Sequence, residues 1–439
     1  MRKNKKFLFL LCLFYSCILL NGCWDRRELE SLGLVQSLGL DMDPKTKQVT
    51  VTTMLAIPSK LGAGTQGGGG GGDESSVEII SMPAPSIYEA FNLINTTINR
   101  EITLQQNQNL IIGEELAKQG IRKFVDNLVR FREIRRTLLL FVCQGKAADI
   151  FQVQPKLEKN PAEYFNDLVG QSVNNAMFPR VNLNEFMNNY EAFAQENYAP
   201  LLAQYTPESA AEPKKTEPKP EGSEGGDSSQ GGGGGGGSGG EAQQGGKPAK
   251  AEKPKPTAVR IIGTAVFRGD KMVGNLDIYE SQILQLLTNH FKQSIITLED
   301  PLKKGYSVVV RLIGGKPTSQ VKYKSVNGID RLLVKTSLEA DLISIQSGIN
   351  YTDPRKQTLL ANQIARELQN RIRKVINKAQ QDFKSDIFGL GIKVRNTMLT
   401  TEDWEIYHWP DKFPQAQIDT RVKVAIRRVG VQFEPPILR

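Results

Sequence analysis

The chain has 439 residues, a formal net charge of +9, four cysteines and two histidines. At about 100–200 residues per domain, that length suits two or three domains. Past residue 23 no stretch approaches the roughly 18 apolar residues of a spanning helix, and the sparse Cys and His exclude a zinc constellation of the usual kind.

The N-terminus carries the strongest signal. Arg2, Lys3, Lys5 and Lys6 precede an apolar run from Phe7 to Leu20, and Leu20-Asn21-Gly22-Cys23 follows. A signal peptidase needs small residues beside the bond it cuts, and Gly22 supplies one. The thiol of Cys23 can then take a diacylglycerol as a thioether. The pattern resembles the lipobox of bacterial lipoproteins. It predicts a signal peptide over 1–22, cleavage between Gly22 and Cys23, lipidation of Cys23, and a mature chain tied to the outer face of the cytoplasmic membrane. Two acyl chains suffice for stable anchoring where one does not. The other readings are an ordinary cleaved signal with a chance cysteine, or an uncleaved anchor.

Cys12 and Cys17 leave with the signal, so Cys143 is the one thiol that remains, and stability must come from hydrophobic cores. Within the apolar run Leu138 to Cys143 it reads as an inert core residue. Acids outnumber bases from Cys23 to Tyr205, and bases are in excess from Ala258 onward. The basic excess suits anionic lipid, an acidic partner, or a solvated surface.

In chain order, Ser37 to Asp41 and Gln48 to Pro58 alternate as strands do. Gly62 to Ser76 is low in complexity and predicts a disordered loop over 62–76. Ser86 caps a predicted helix to Asn99, Gln108 to Gly113 reads as a strand, Gly120 to Arg130 as a helix and Arg136 to Gln144 as a buried strand. This order fits a first α+β domain over 23–150, a sheet with helices on one face. A middle α+β domain, 151–315, has helices at Ala162 to Val169 and Leu183 to Phe193. Its strands are Pro200 to Tyr205, Val259 to Arg268 and Met272 to Leu276. The glycine-rich stretch 206–257 reads as a disordered insertion within it, or else as an interdomain linker. The C-terminal α+β domain, 316–439, follows a strand at Tyr306 to Ile313. It has strands at Leu332 to Ile345 and Thr420 to Val429 around a helix over 354–383. Asp353 and Pro354 suit the start of that helix. Leu360, Ile364, Leu368, Ile372 and Val375 stripe one side; Arg366, Arg373 and Lys378 lie away from the stripe and form a candidate contact surface. The fold class expected is α+β, each sheet mixed or antiparallel with helices packed on it.

No chemistry emerges. His290 reads as a helix-surface residue, and His408, beside Trp404, Tyr407 and Trp409, as a packing residue. Gly62-Ala63-Gly64-Thr65-Gln66-Gly67 matches a dinucleotide fingerprint, but more glycines follow where a helix N-terminus is needed. Gly314-Gly315-Lys316-Pro317-Thr318 lacks phosphate-loop spacing. The residues imply no catalytic site, no cofactor, no metal and no nucleic-acid partner.

Four separated segments carry a family resemblance. They are Gly22-Cys23-Trp24-Asp25-Arg26-Arg27-Glu28-Leu29 running on to Leu38-Gly39-Leu40-Asp41; Ile111-Ile112-Gly113-Glu114-Glu115-Leu116 with Arg132-Glu133-Ile134-Arg135; Gly263-Thr264-Ala265-Val266-Phe267 with Asp270 to Leu276; and Asp403-Trp404, Trp409 and Phe413 leading to Gly430. In that order behind a lipobox, the chain resembles the Ger(x)C family, the lipoprotein C subunits of spore germinant receptors. The resemblance implies a three-domain, non-enzymatic subunit. It would act with two integral membrane partners, the A and B subunits, in nutrient sensing at the inner membrane of the spore. Trp24 and its charged neighbours suit a head-group region, or simply begin the first domain. The competing class is a solute-binding lipoprotein of a transporter, whose two lobes of alternating strands and helices this order does not repeat.

Overall fold

The computed structural model describes residues 31–57, 77–153, 161–206, 256 and 258–429. The signal peptide, Gly22, Cys23, the loop expected over 62–76 and all but the ends of 206–257 lie outside the described residues.

The chain opens with β1 (Leu32–Met42), β2 (Val49–Ala56), β3 (Val77–Ala84), α1 (Ile87–Asn95), β4 (Glu101–Thr103), β5 (Asn109–Gly113), α2 (Glu114–Gln119), α3 (Arg122–Arg130) and β6 (Leu139–Cys143). It continues through α4 (Ala147–Phe151), α5 (Pro161–Asn175), α6 (Leu183–Ala192), β7 (Tyr198–Tyr205), β8 (Ala258–Arg268), β9 (Lys271–Asp277) and α7 (Ile278–Leu287). Among the described residues these strands form one nine-stranded sheet in the order β3-β2-β1-β5-β6-β7-β8-β9, with β4 paired to β1. β1, β5, β6 and β7 run parallel, and the flanking strands are antiparallel.

Neighbouring residues of the central strands face two different cores. Leu110, Ile112, Leu140 and Val142 join Ile94, Leu116 and Phe124 on one side, while Ile111, Phe141 and Cys143 meet Phe151, Phe165 and Leu202 on the other. Helices therefore cover both faces, not the one face expected, as parallel strands require. Cys143 is fully buried, and burial pushes its thiol well above the usual range.

The remaining elements are β10 (Gln293–Glu299), β11 (Ser307–Val326), β12 (Ile329–Ile345), α8 (Pro354–Lys378), α9 (Gly391–Arg395), α10 (Thr401–Tyr407), α11 (Trp409–Lys412) and β13 (Gln417–Arg428). They build a second sheet in the order β10-β11-β12-β13. β11 and β12 turn through Asn327 and Gly328, both at positive φ, as a two-residue hairpin requires. β13 runs parallel to β12, and α8 is the crossover between them.

The expected borders move. β6 pairs with β7, so segments 23–150 and 151–315 share one sheet, and the break expected at 315 falls inside β11. Tyr205 stands opposite Ala258. The segment 206–257 thus connects two strands that pair antiparallel in one sheet.

Candidate interaction surface

The long helix α8 begins where Asp353 accepts a hydrogen bond from the Arg355 amide at 2.8 Å, with Pro354 in the first turn. Leu360, Ile364, Leu368, Ile372, Val375 and Ile376 are buried along one side of it. Arg366, Arg373 and Lys374 are exposed along the other, while Arg371 pairs with Glu367 at 2.9 Å. Beside the helix, a hollow of about 470 Å³ is lined by Arg371, Lys374, Val375, Ile283, Tyr279 and Ile295. Tyr279 is 68% and Ile295 56% exposed. Cationic groups and an exposed aromatic ring thus border one shallow depression.

Lys378 departs from the expected surface. Its Nζ lies 2.7 Å from Glu280 Oε2 and 3.2 Å from the Asn275 carbonyl, and sits over the Phe383 ring at 5.5 Å. Glu280 also closes the capping box of α7 with Asp277. Lys378 therefore ties α8 to the first sheet; it is a joint residue, and Arg366 and Arg373 are the two predicted residues that stay open.

The joint has further parts. α7 is buried almost all round, from Ser281 to Leu287, and touches both sheets. At Gly274 of β9, a Cβ would come within 2.5 Å of the Phe383 ring, so glycine permits the contact. Below it, the Asp386 carboxylate accepts from the Gly391 amide at 2.8 Å, from Trp409 Nε1 at 2.8 Å, and from the Phe388 and Leu390 amides at 3.2 Å. Burial raises its pKa to about 6 despite those four donors. The Asp386 carbonyl accepts from the Glu196 amide at 2.9 Å, and Ser385 Oγ donates to the Phe267 carbonyl at 2.6 Å. Trp409, singled out by the resemblance, is thus a packing residue of the joint.

The first sheet shows the same logic. A Cβ at Gly113 would lie 2.0 Å from Asp41 Oδ1, and that carboxylate accepts from the Ala147 and Ala148 amides at 2.8 and 3.0 Å. Asp41 thereby holds the start of α4, which the sequence reading missed because the helix is only five residues long.

Between the sheets lies a cleft of about 640 Å³ whose charged lining is Arg180, Glu185, Lys322 and Lys393, with His290 at its rim. Tyr198 lines it from a buried position, and desolvation pushes its hydroxyl up to about 12. The mixture is polar and ungrouped. Among the described residues no three His, Cys, Asp or Glu side chains gather as a metal site would need.

The structure leaves His290 at the surface, as expected, and corrects the reading of His408 as a packing residue. His290 lies just past the end of α7, exposed, with Nδ1 3.2 Å from Thr288 Oγ1. His408 is exposed in a left-handed conformation, φ 49°, and bonds Asp411 at 2.9 Å. Its neighbours do the packing, with Trp404 stacked on Tyr407 and Trp409 edge-on to Phe413.

The fold and these surfaces define a mixed α+β protein of two joined sheets, with a cationic helix flank left open. Two family models match the chain: the spore germination protein N-terminal domain over residues 25–204, and the spore germination B3/GerAC-like C-terminal domain over 262–430. The chain belongs to this family of spore germination proteins. It is 23% identical over 421 residues to the putative spore germination protein YfkR of Bacillus subtilis, covering 95% of each chain. It is 24% identical over 438 residues to spore germination protein KC of the same organism, covering 98% of each. Among solved structures, that of the GerBC protein is similar at a TM-score of 0.49 and 14% identity, covering 89% of this chain and 96% of that one.

Proposed function

We propose that this chain is the lipid-anchored C subunit of a nutrient germinant receptor, and that it contributes binding surface rather than chemistry. The observation that carries the reading is the family match on both sides of the 206–257 insertion, together with end-to-end similarity to spore germination protein KC. Cys23 would hold the lipid at the outer face of the cytoplasmic membrane, which becomes the inner membrane of the spore. The A and B subunits would be the integral membrane partners, and no cofactor enters the scheme.

The exposed side of α8 is the first contact surface to test, now centred on Arg366 and Arg373. Exposed charges contribute little to stability, so R366E/R373E should leave the fold intact. The double variant should weaken recovery of the A and B subunits with this chain from spore membranes. Full recovery would reject the helix as the contact, and an unmodified residue at the mature N-terminus would reject the anchor. The solute-binding alternative would be favoured if permease and ATPase genes, and not multi-pass A- and B-type genes, flank this one.

A further inference from the structure

We propose that the amino edge of the large sheet, carrying Arg100, Arg132, Arg135 and Arg136, lies against the anionic lipid surface to which the chain is anchored. This rests on the reading of Cys23 as the lipid-bearing residue.

The topology fixes where the tether leaves. Leu32 stands beside Glu101, Asn109 beside Leu139, and both pairs are parallel. β1, β4, β5 and β6 therefore all start at one edge of the sheet, and the chain reaches that edge from Cys23 through residues 24–30. At about 3.3–3.6 Å per residue, this link spans no more than about 30 Å. The edge cannot lie farther than that from the bilayer surface.

The same edge is where arginine concentrates in the acid-rich half of the chain. Arg132, Arg135 and Arg136 are exposed in the loop that enters β6, and Arg100 immediately precedes β4. None of the four forms an ion pair with another described residue. The acids near this edge include Glu78, Glu101 and Glu133, Glu185 next to Asn184, whose amide donates to the Arg136 carbonyl at 2.9 Å, and Asp167 next to Asn166, which bonds Gln108. Glu133 is turned inward, where its Oε2 accepts from Thr103 Oγ1 at 2.9 Å and from the Leu104 amide at 2.8 Å. Those bonds pin the arginine loop to β4, and Phe131 holds its root by packing on Tyr88 at 5.4 Å and Phe91 at 6.2 Å. The guanidinium groups are thus carried on a braced loop, around a hollow of about 840 Å³ rimmed by Leu32, Gln105, Arg132 and Arg135. Attraction to anionic headgroups acts within a Debye length, about 8–10 Å at physiological salt. The short tether permits that approach, and planar guanidinium matches the oxygens of phosphate.

Vesicle flotation of the mature chain from Trp24 onward, which has no acyl chain, tests the surface. It should bind mixed phosphatidylglycerol–phosphatidylcholine vesicles in low salt, release in high salt, and ignore pure phosphatidylcholine. R132E/R135E/R136E should cut the partition coefficient about tenfold or more. R331E/R421E/K423E makes the same charge change on the exposed face of the second sheet and should alter it less than about twofold. Equal losses in the two variants, or no preference for phosphatidylglycerol, would overturn the proposal. If the glutamate variant misfolds, R132Q/R135Q/R136Q must still weaken binding, and unchanged binding would overturn it. Mass spectrometry of the native N-terminus reads the anchor separately. Acylated Cys23 with vesicle binding indifferent to this edge overturns the orientation alone. Unacylated Cys23 overturns the anchor and, with it, this apposition.

Discussion

β6 and β12 are both central strands, yet they are built differently. Every residue of β6 from Leu139 to Cys143 is buried, whereas burial in β12 largely alternates from Asp330 to Ala340. The first sheet is sandwiched between helices; the second packs one face on α8 and leaves the other open. The first sheet thus carries two cores on one set of strands, and the second keeps an exposed face. Surface available for partners is accordingly found on the second sheet with its helix, and at the rim of the first.

The largest effects should come from breaking that contrast directly. Phe141→Ala should cost about 3–5 kcal/mol, and Leu140→Ala, facing the opposite core, about 2–5 kcal/mol. In β12, Leu332→Ala should cost a similar amount, but its exposed neighbour Arg331→Ala should stay within about 0.5 kcal/mol. Urea denaturation of the four variants checks this. Tolerance of Leu140→Ala, or a loss at Arg331 equal to that at Leu332, would break the comparison.

A smaller effect sharpens the joint between the sheets. Gly274→Ala puts a methyl group against Phe383 and should cost about 1–3 kcal/mol by overpacking. Gly269→Ala would meet no atom within 4 Å and bears only the strain of its positive φ, so it should cost less. Thermal midpoints of the pair separate a packing role at 274 from general glycine loss.

Asp386 gives a pH-dependent test of the same joint. Its folded pKa is raised to about 6 by burial, so the folded state holds the proton where the unfolded chain releases it. Stability from this group is fully present below about pH 4 and is lost as pH rises to about 6, an effect on the order of 3 kcal/mol. Asp386→Asn removes that dependence. Wild-type stability minus that of the variant should therefore fall as pH rises from 4 to 7, by an amount on the order of 3 kcal/mol, measured by denaturation at each pH. A difference that rises with pH would contradict the assignment.

Much of this architecture is legible in the sequence. The strands entering β5 and β6 stand out as apolar runs, and α8 has a cap, a proline and an unbroken stripe. α7 does not stand out, because it is buried on nearly all sides and has no single stripe to find. β3 carries Pro83 and sits at the sheet edge, where proline is tolerated, yet proline hides a strand from pattern reading. In β10 the alternation is blurred because Ile295 points outward beside buried Ile296. The Asn327-Gly328 turn could have been found from its dipeptide alone. The role of Lys378 could not, since its partner Glu280 lies 98 residues away.

Germination of spores from a strain lacking this gene, with any substituting paralogue also removed, tests the receptor reading most directly. Loss of the response to a nutrient, restored by the wild-type gene and not by Cys23→Ala, is the result predicted. An undiminished nutrient response in the deletion strain would contradict it.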